Sequence, residues 1–238
     1  MDVKHLDDFQ KGMIIPVNKP YTWTSTDVVR KVKYQIERKL RESESERRKM
    51  KVGHAGTLDP LASGLVIVCT GKATKLIENI QAGEKEYIAE IEFGKTTPSY
   101  DLETGYDAEF PTDHISRQAI EQILLQFTGE ITQYPPVFSA KNINGKRAYL
   151  YARKGEKVEM RPNMVHIKKL EIVNFEHPHL TLQIRCGKGT YIRSLAHDLG
   201  QALNSGAFLK GLIRTRIGEY ELNNAISIEN FEKKIASL

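Results

Sequence analysis

The chain has 238 residues, 40% hydrophobic, 27% charged and 8% aromatic, a length and composition that suit one large domain with its own core. Its 35 Lys and Arg against 30 Asp and Glu leave a formal charge of +5, compatible with a polyanionic partner. Two cysteines, Cys69 and Cys186, exclude a disulfide scaffold and fit a reducing compartment. No apolar run reaches the roughly 20 residues that a membrane span needs, and the polar start MDVKHLDDFQ is unlike a signal or transit peptide. A cytoplasmic protein without a membrane partner is expected.

Residues 12–18 (GMIIPVN) read as a short strand closed by Lys19-Pro20. Ser25, Thr26 or Asp27 can cap the helix that follows, in which Val28, Val32, Ile36 and Leu40 recur every four positions. The period dissolves into a charged stretch: Arg38 to Lys51 holds seven basic and three acidic residues. In its plain reading this insertion is a solvated excursion, and in its sharper one an arm that contacts phosphates. Next comes GHAGTLDPLASG, a glycine-rich turn before the buried-strand pattern LVIVC. Locally, Asp59-Pro60 suits a helix start, with Asp as N-cap and Pro as first helical residue. A carboxylate at the mouth of such a turn is also well placed for covalent chemistry.

KEYIAEIEF (85–93) alternates, with Tyr87, Ala89, Ile91 and Phe93 on one face. A polar loop, GKTTPSYDLETG, precedes a helix near 116–128 that Gly129 stops. Residues 130–160 read as extended and broken, with a turn at Asn144-Gly145 and a short YLYARKG helix. Strands are expected at 165–175 and 180–186. GKGT then opens a helix at 191–203 with Ile192, Leu195, Ala196, Leu199 and Leu203 inward and Arg193 and His197 on the other face. A last short helix follows Ser227. Strands and helices mix without a regular βαβ rhythm, so an α+β fold is expected: a mostly antiparallel mixed sheet flanked by helices.

The usual cofactor motifs are missing. Gly71-Lys72 is followed by Ala73 rather than Ser or Thr, so there is no P-loop. No GxGxxG follows a strand, and no Gly-x-Ser-x-Gly elbow occurs. His177 and His179 lack the acidic or thiol partners of a zinc site and read as an exposed loop pair. Chemistry without metal or cofactor is expected.

GHAGTLDPLASGLVIVCTGKATKL resembles the signature of the TruB family of pseudouridine synthases. Further blocks follow in family order: Asn18-Lys19-Pro20 with Thr24-Ser25, KEYIAEIEFG with its TxxxxD loop, YPPVFSAKNINGKRAYLYARKG, GKGTYIRSLAHDLG and AFLKGLIRTRIG. They cover roughly residues 12–220. The resemblance implies the pseudouridine synthase fold, with an active-site cleft across the sheet. It also implies isomerisation of uridine 55 in the T loop of tRNA, after that base has left its stack. By the same resemblance Asp59 is the nucleophile and Arg193 its ion-pair partner. Tyr87 stacks on the turned-out uracil, Tyr191 is a second pocket tyrosine, and Leu212 is an apolar wall. His54 occupies the position the base vacates, and Lys19 lies at the floor with Pro20. The resemblance leaves open whether the carboxylate attacks C1′ or C6 or abstracts a sugar proton.

The expected organisation is one catalytic domain, 1–238, without the C-terminal RNA-binding (PUA) domain of larger members. A monomer that needs no guide RNA is expected, because the RNA-guided relatives rely on a C-terminal domain for which 20 residues beyond Gly218 leave no room.

Overall fold

The pleat of the strand Ile14–Lys19 turns Ile15, Val17 and Lys19 inward, so the first two join the core and carry a lysine with them. The computed structural model describes residues 3, 5–43, 49–139, 141–143, 145–156 and 158–238. The chain divides into two compact units, Met1–Lys85 with Ile213–Leu238, and Glu86–Leu212. Of the charged 38–51 stretch, residues 44–48 lie outside the described residues, as does Asn144 of the expected turn.

In the first unit, Ile14–Lys19 pairs antiparallel with Ala62–Thr70 and parallel with Ile226–Ser227. Val52–His54 adds to Ala62–Thr70, and Tyr220–Glu221 to Ala207–Ile217. Ala62–Thr70 is buried along nearly its whole length, as its apolar run predicts. The core gathers Ala55, Leu65, Ile67, Cys69, Ala73 and Ile217. Against it lies the helix Ser25–Glu42, whose Val28, Val32, Ile36 and Leu40 are buried. Its cap is Thr24, one residue before the expected candidates. The Thr24 hydroxyl accepts from the Asp27 amide while the Asp27 carboxylate accepts from the Thr24 amide, a reciprocal capping box. Ser25 is diverted instead to both backbone groups of Leu58. The helix also runs on through Glu42, into the charged stretch. Helix Ile228–Ala236 is capped by Ser227 and brings Phe231 edge-on to Phe9, with ring centroids 6.5 Å apart.

In the second unit the strand order is Ala207–Ile217, Lys85–Phe93, His179–Cys186, Asn163–Glu176, Gly129–Gln133. Asn163–Glu176 is antiparallel to both its neighbours. Tyr87, Ala89, Ile91 and Phe93 share the buried face, as their alternation requires. The expected helix near 116–128 is an α-helix, Arg117–Leu124, tightened into a 3₁₀ turn before Gly129, which takes φ +95°. Residues 192–202 form the second long helix of the expectation.

One local expectation fails. Asp59-Pro60 starts no helix: the Ala62 amide donates to the Asp59 carbonyl at 3.1 Å, closing a tight turn that feeds directly into the strand Ala62–Thr70. Strand pairing with Ile14–Lys19 overrides the local capping preference. Arg193, on the face opposite the apolar stripe, is 5% exposed.

Candidate active site

The predicted site residues fall into two sets. Lys19, His54 and Asp59 belong to the first unit; Tyr87, Tyr191, Arg193 and Leu212 belong to the second.

The Asp59 turn is fastened by its main chain. Gly56 takes φ +99°, a conformation in which a side chain is strained. The Arg214 guanidinium is 1% exposed and spends its donors on carbonyls: Leu65 at 2.8 Å, Thr57 at 3.0 Å and Gly56 at 3.2 Å. On the adjoining strand, a Cβ at Gly64 would stand 2.4 Å from the Arg214 carbonyl, so only glycine permits this approach. From the other side the Thr22 amide donates to the Pro60 carbonyl at 2.9 Å.

Lys19, delivered inward by the pleat, is fully buried. Its ammonium donates to the carbonyls of Ala62 (2.5 Å), Trp23 (2.6 Å) and Pro20 (3.1 Å), with Pro60 at 3.5 Å. An ammonium has three protons, so the Pro60 contact is the weakest of the four. Burial lowers the Lys19 pKa to about 8; the Asp59 carboxylate opposes that shift, and Arg214 adds to it. Two buried cations thus surround the turn from which Asp59 projects. The His54 pKa is lowered, chiefly by burial and further by Arg214, with the Gly56 backbone opposing.

The second set is organised by helix Ile192–Ala202. Tyr191 is its N-cap residue, held by a reciprocal pair: its amide donates to Gln133 Oε1 at 2.8 Å and its carbonyl accepts from Gln133 Nε2 at 3.0 Å. Arg193 donates to the carbonyls of Phe138 (2.9 Å) and Ser99 (3.2 Å) and approaches the Asp101 carboxylate at 3.6 Å. Asp101 is the aspartate of the TxxxxD loop, itself 5% exposed. Its neighbour Tyr100 holds φ +63° and stacks on His197, one helical turn beyond Arg193, at a centroid distance of 4.0 Å. The dipeptide Tyr100-Asp101 therefore grips the helix at two successive turns. Tyr87 is buried at the start of its strand, and Leu212 is half-buried.

Arg214, Asp101 and Gln133 escape a reading of the sequence for site residues. The available signal is an arginine inside an apolar strand pattern, since a buried guanidinium must find acceptors. Among the described residues no cluster of three or more His, Cys, Asp and Glu is placed to hold a metal, and no helix is long and apolar enough to cross a membrane.

Compared with solved structures, the chain resembles one in a crystal structure of a Cbf5-Nop10-Gar1 complex. The identity is 28% and the TM-score 0.70, over 97% of this chain and 56% of that one, so it spans just over half of the neighbour's length. The fold is that of the pseudouridine synthases, isomerases that reattach a uracil to its sugar through carbon. Residues 8–192 match the model for the TruB family pseudouridylate synthase, N-terminal domain. Proteins called tRNA pseudouridine synthase B align over nearly the full length. The one from Phocaeicola vulgatus is 52% identical over 94% of this chain and 93% of its own, and the one from Parabacteroides distasonis 52% identical over 94% of both. The chain belongs to the TruB family.

Proposed function

We propose that the chain isomerises uridine 55 in the T loop of tRNA to pseudouridine, with Asp59 as the nucleophile and without guide RNA or cofactor. The observation that carries this reading is the Asp59 turn. It holds a carboxylate on a backbone fixed by two buried cations, Lys19 and Arg214, inside the sequence block that resembles the family signature.

The reaction breaks the N1–C1′ bond, turns the uracil and joins C5 to C1′. The proton lost from C5 is matched by one gained at N1, so nothing is consumed. A carboxylate can form and later release an ester-like bond to the nucleotide, splitting one hard step into two. In this reading Arg193, which the family resemblance makes the ion-pair partner of Asp59, supplies the positive charge that a carboxylate nucleophile calls for. Tyr87 stacks on the everted uracil, Tyr191 and Leu212 line its pocket, and His54 fills the space the base leaves.

An RNA-guided reading has one observation behind it, the likeness to the Cbf5-containing complex. The stand-alone reading is favoured because identity rises from 28% there to 52% for relatives called tRNA pseudouridine synthase B, over 93% of the Phocaeicola vulgatus sequence.

The test is incubation of pure protein with an unmodified tRNA transcript, followed by mapping of pseudouridine. Product at position 55 without added RNA or metal is expected. Asp59→Asn should abolish turnover while tRNA affinity stays within a few fold. Product at the parent's rate from Asp59→Asn would rule out the nucleophile, and product only with a guide RNA would favour the second reading.

A further inference from the structure

Beside the Asp59 turn, still within the first unit, lies a groove of about 610 Å³ lined by Thr22, Trp23, Asp27, Arg30, Lys31 and Tyr34. Its position is tied to the turn through backbone. The Thr22 amide donates to the Pro60 carbonyl at 2.9 Å, and Lys19 bridges the carbonyls of Trp23 (2.6 Å) and Ala62 (2.5 Å). Thr22 itself is held at φ +71°, a conformation that a β-branched residue adopts only when its surroundings enforce it. The loop bearing Trp23 is therefore fixed relative to the loop bearing Asp59.

The other wall is one helix face. Asp27, Arg30, Lys31 and Tyr34 follow the i, i+3, i+4, i+7 spacing that brings side chains together. Helix Ser25–Glu42 carries six basic residues against three acidic ones. Within the groove Arg30 lies 3.6 Å from Asp27 with its side chain 77% exposed, and Lys31 lies 2.5 Å from Glu232. The exposed Arg30 pair is worth about 0–1 kcal/mol, little enough for a phosphate to compete for that cation, and Lys31 keeps 34% of its side chain exposed beside Glu232. Tyr34 is 54% exposed.

The chemistry of the lining selects its occupant. Two aromatic rings and two cations stand against one carboxylate, Asp27, which is engaged by the Thr24 amide and hydroxyl. With no aliphatic side chain among them, they suit an unpaired nucleotide, whose base stacks on an aromatic face while its phosphate meets a positive charge. An apolar peptide helix would need aliphatic anchors that this lining lacks. We infer that the groove receives a nucleotide of the RNA substrate flanking the one that reacts at Asp59, with its base against Trp23 and Tyr34 and its phosphate at Arg30 and Lys31. This rests on the reading of the chain as an enzyme acting on tRNA.

Trp23 is the only tryptophan of the chain, so emission excited selectively at the indole, beyond tyrosine absorption, reports on the groove. Titrating unmodified tRNA into the full chain should quench the indole saturably, at the dissociation constant found by an independent binding assay. Tyr34→Ala should raise KM for tRNA about 5-fold to 150-fold, the range that the loss of one base stack of about 1–3 kcal/mol produces, with little effect on kcat. Tyr34→Phe, which keeps the ring, should restore the parent KM. Arg30→Ala should lower the slope of log affinity against log salt by roughly 0.7, one single-strand phosphate contact. Unaltered emission at saturating tRNA, or a KM within twofold of the parent in Tyr34→Ala, overturns the inference. Product without quenching removes the groove and leaves the reaction standing. Quenching without product removes the reaction and leaves an RNA-binding groove.

Discussion

The turn that carries Asp59 and the helix that carries Arg193 both hold charged groups out of water, but with different materials. Around the turn, Lys19 and Arg214 give their hydrogen bonds to main-chain carbonyls, so the cations fix backbone geometry. Around the helix, Arg193 also donates to main-chain carbonyls, those of Phe138 and Ser99, but it adds a carboxylate, Asp101 at 3.6 Å, and the loop is backed by the Tyr100–His197 stack. Carbonyl anchoring depends on where donors point. Carboxylate anchoring depends on charge. The two regions should therefore respond differently to substitutions that separate geometry from charge.

The largest effect is expected at Arg214. Arg214→Met leaves the carbonyls of Leu65, Thr57 and Gly56 without their shared donor and should cost about 3–5 kcal/mol in urea denaturation. Arg214→Lys keeps the charge but loses the planar fork. It should still lower turnover on the order of 100-fold through misplacement of the Asp59 turn. Parent-like turnover in the lysine variant would show that charge, not geometry, matters there.

Asp101→Asn makes the opposite separation, keeping shape and removing charge. It should destabilise the protein by about 3 kcal/mol, since it removes the carboxylate charge 3.6 Å from a buried guanidinium. Denaturation as for the parent would show that the carbonyls of Ser99 and Phe138 suffice for Arg193.

A smaller effect is expected where the loop is backed by a ring. Tyr100→Ala should cost about 0.5–1.5 kcal/mol from the lost stack, with the strain at φ +63° retained. Tyr100→Gly loses the same ring but accepts that φ, so its melting temperature should lie above that of Tyr100→Ala. The reverse order would mean that the backbone there is not strained.

The smallest effect concerns Asp198, whose pKa burial raises to about 6. The folded carboxyl holds its proton more tightly than the unfolded one, so its contribution favours folding at low pH and is lost as pH rises through about 6. Melting temperature followed from pH 4 to 7 should fall less steeply in Asp198→Asn than in the parent. Identical slopes would assign the pH dependence to other groups.

Much of the fold was legible in residue order because it follows from local periodicity. Val28, Val32, Ile36 and Leu40 mark a helix that the structure contains, and Tyr87 to Phe93 mark a strand with the face it buries. The strand Ala207–Ile217 was not foreseen as one, because Lys210, Arg214 and Arg216 interrupt its apolar pattern. Arg214 lies at a buried position only because carbonyls from Gly56, Thr57 and Leu65 converge on it, and no local rule anticipates acceptors about 150 residues away. The same holds for Asp59-Pro60, which local rules make a helix start and strand pairing makes a turn.

The sequence by itself determined the periodic elements and the family blocks, because spacing and residue type are properties of the chain taken a few residues at a time. Tertiary structure alone decided that Lys19 and Arg214 anchor the Asp59 turn, that Asp101 faces Arg193, and that Trp23 shares a groove with Arg30 and Tyr34. Each is a meeting whose partners are set by burial and by unsatisfied carbonyls, and burial exists only once the chain has folded.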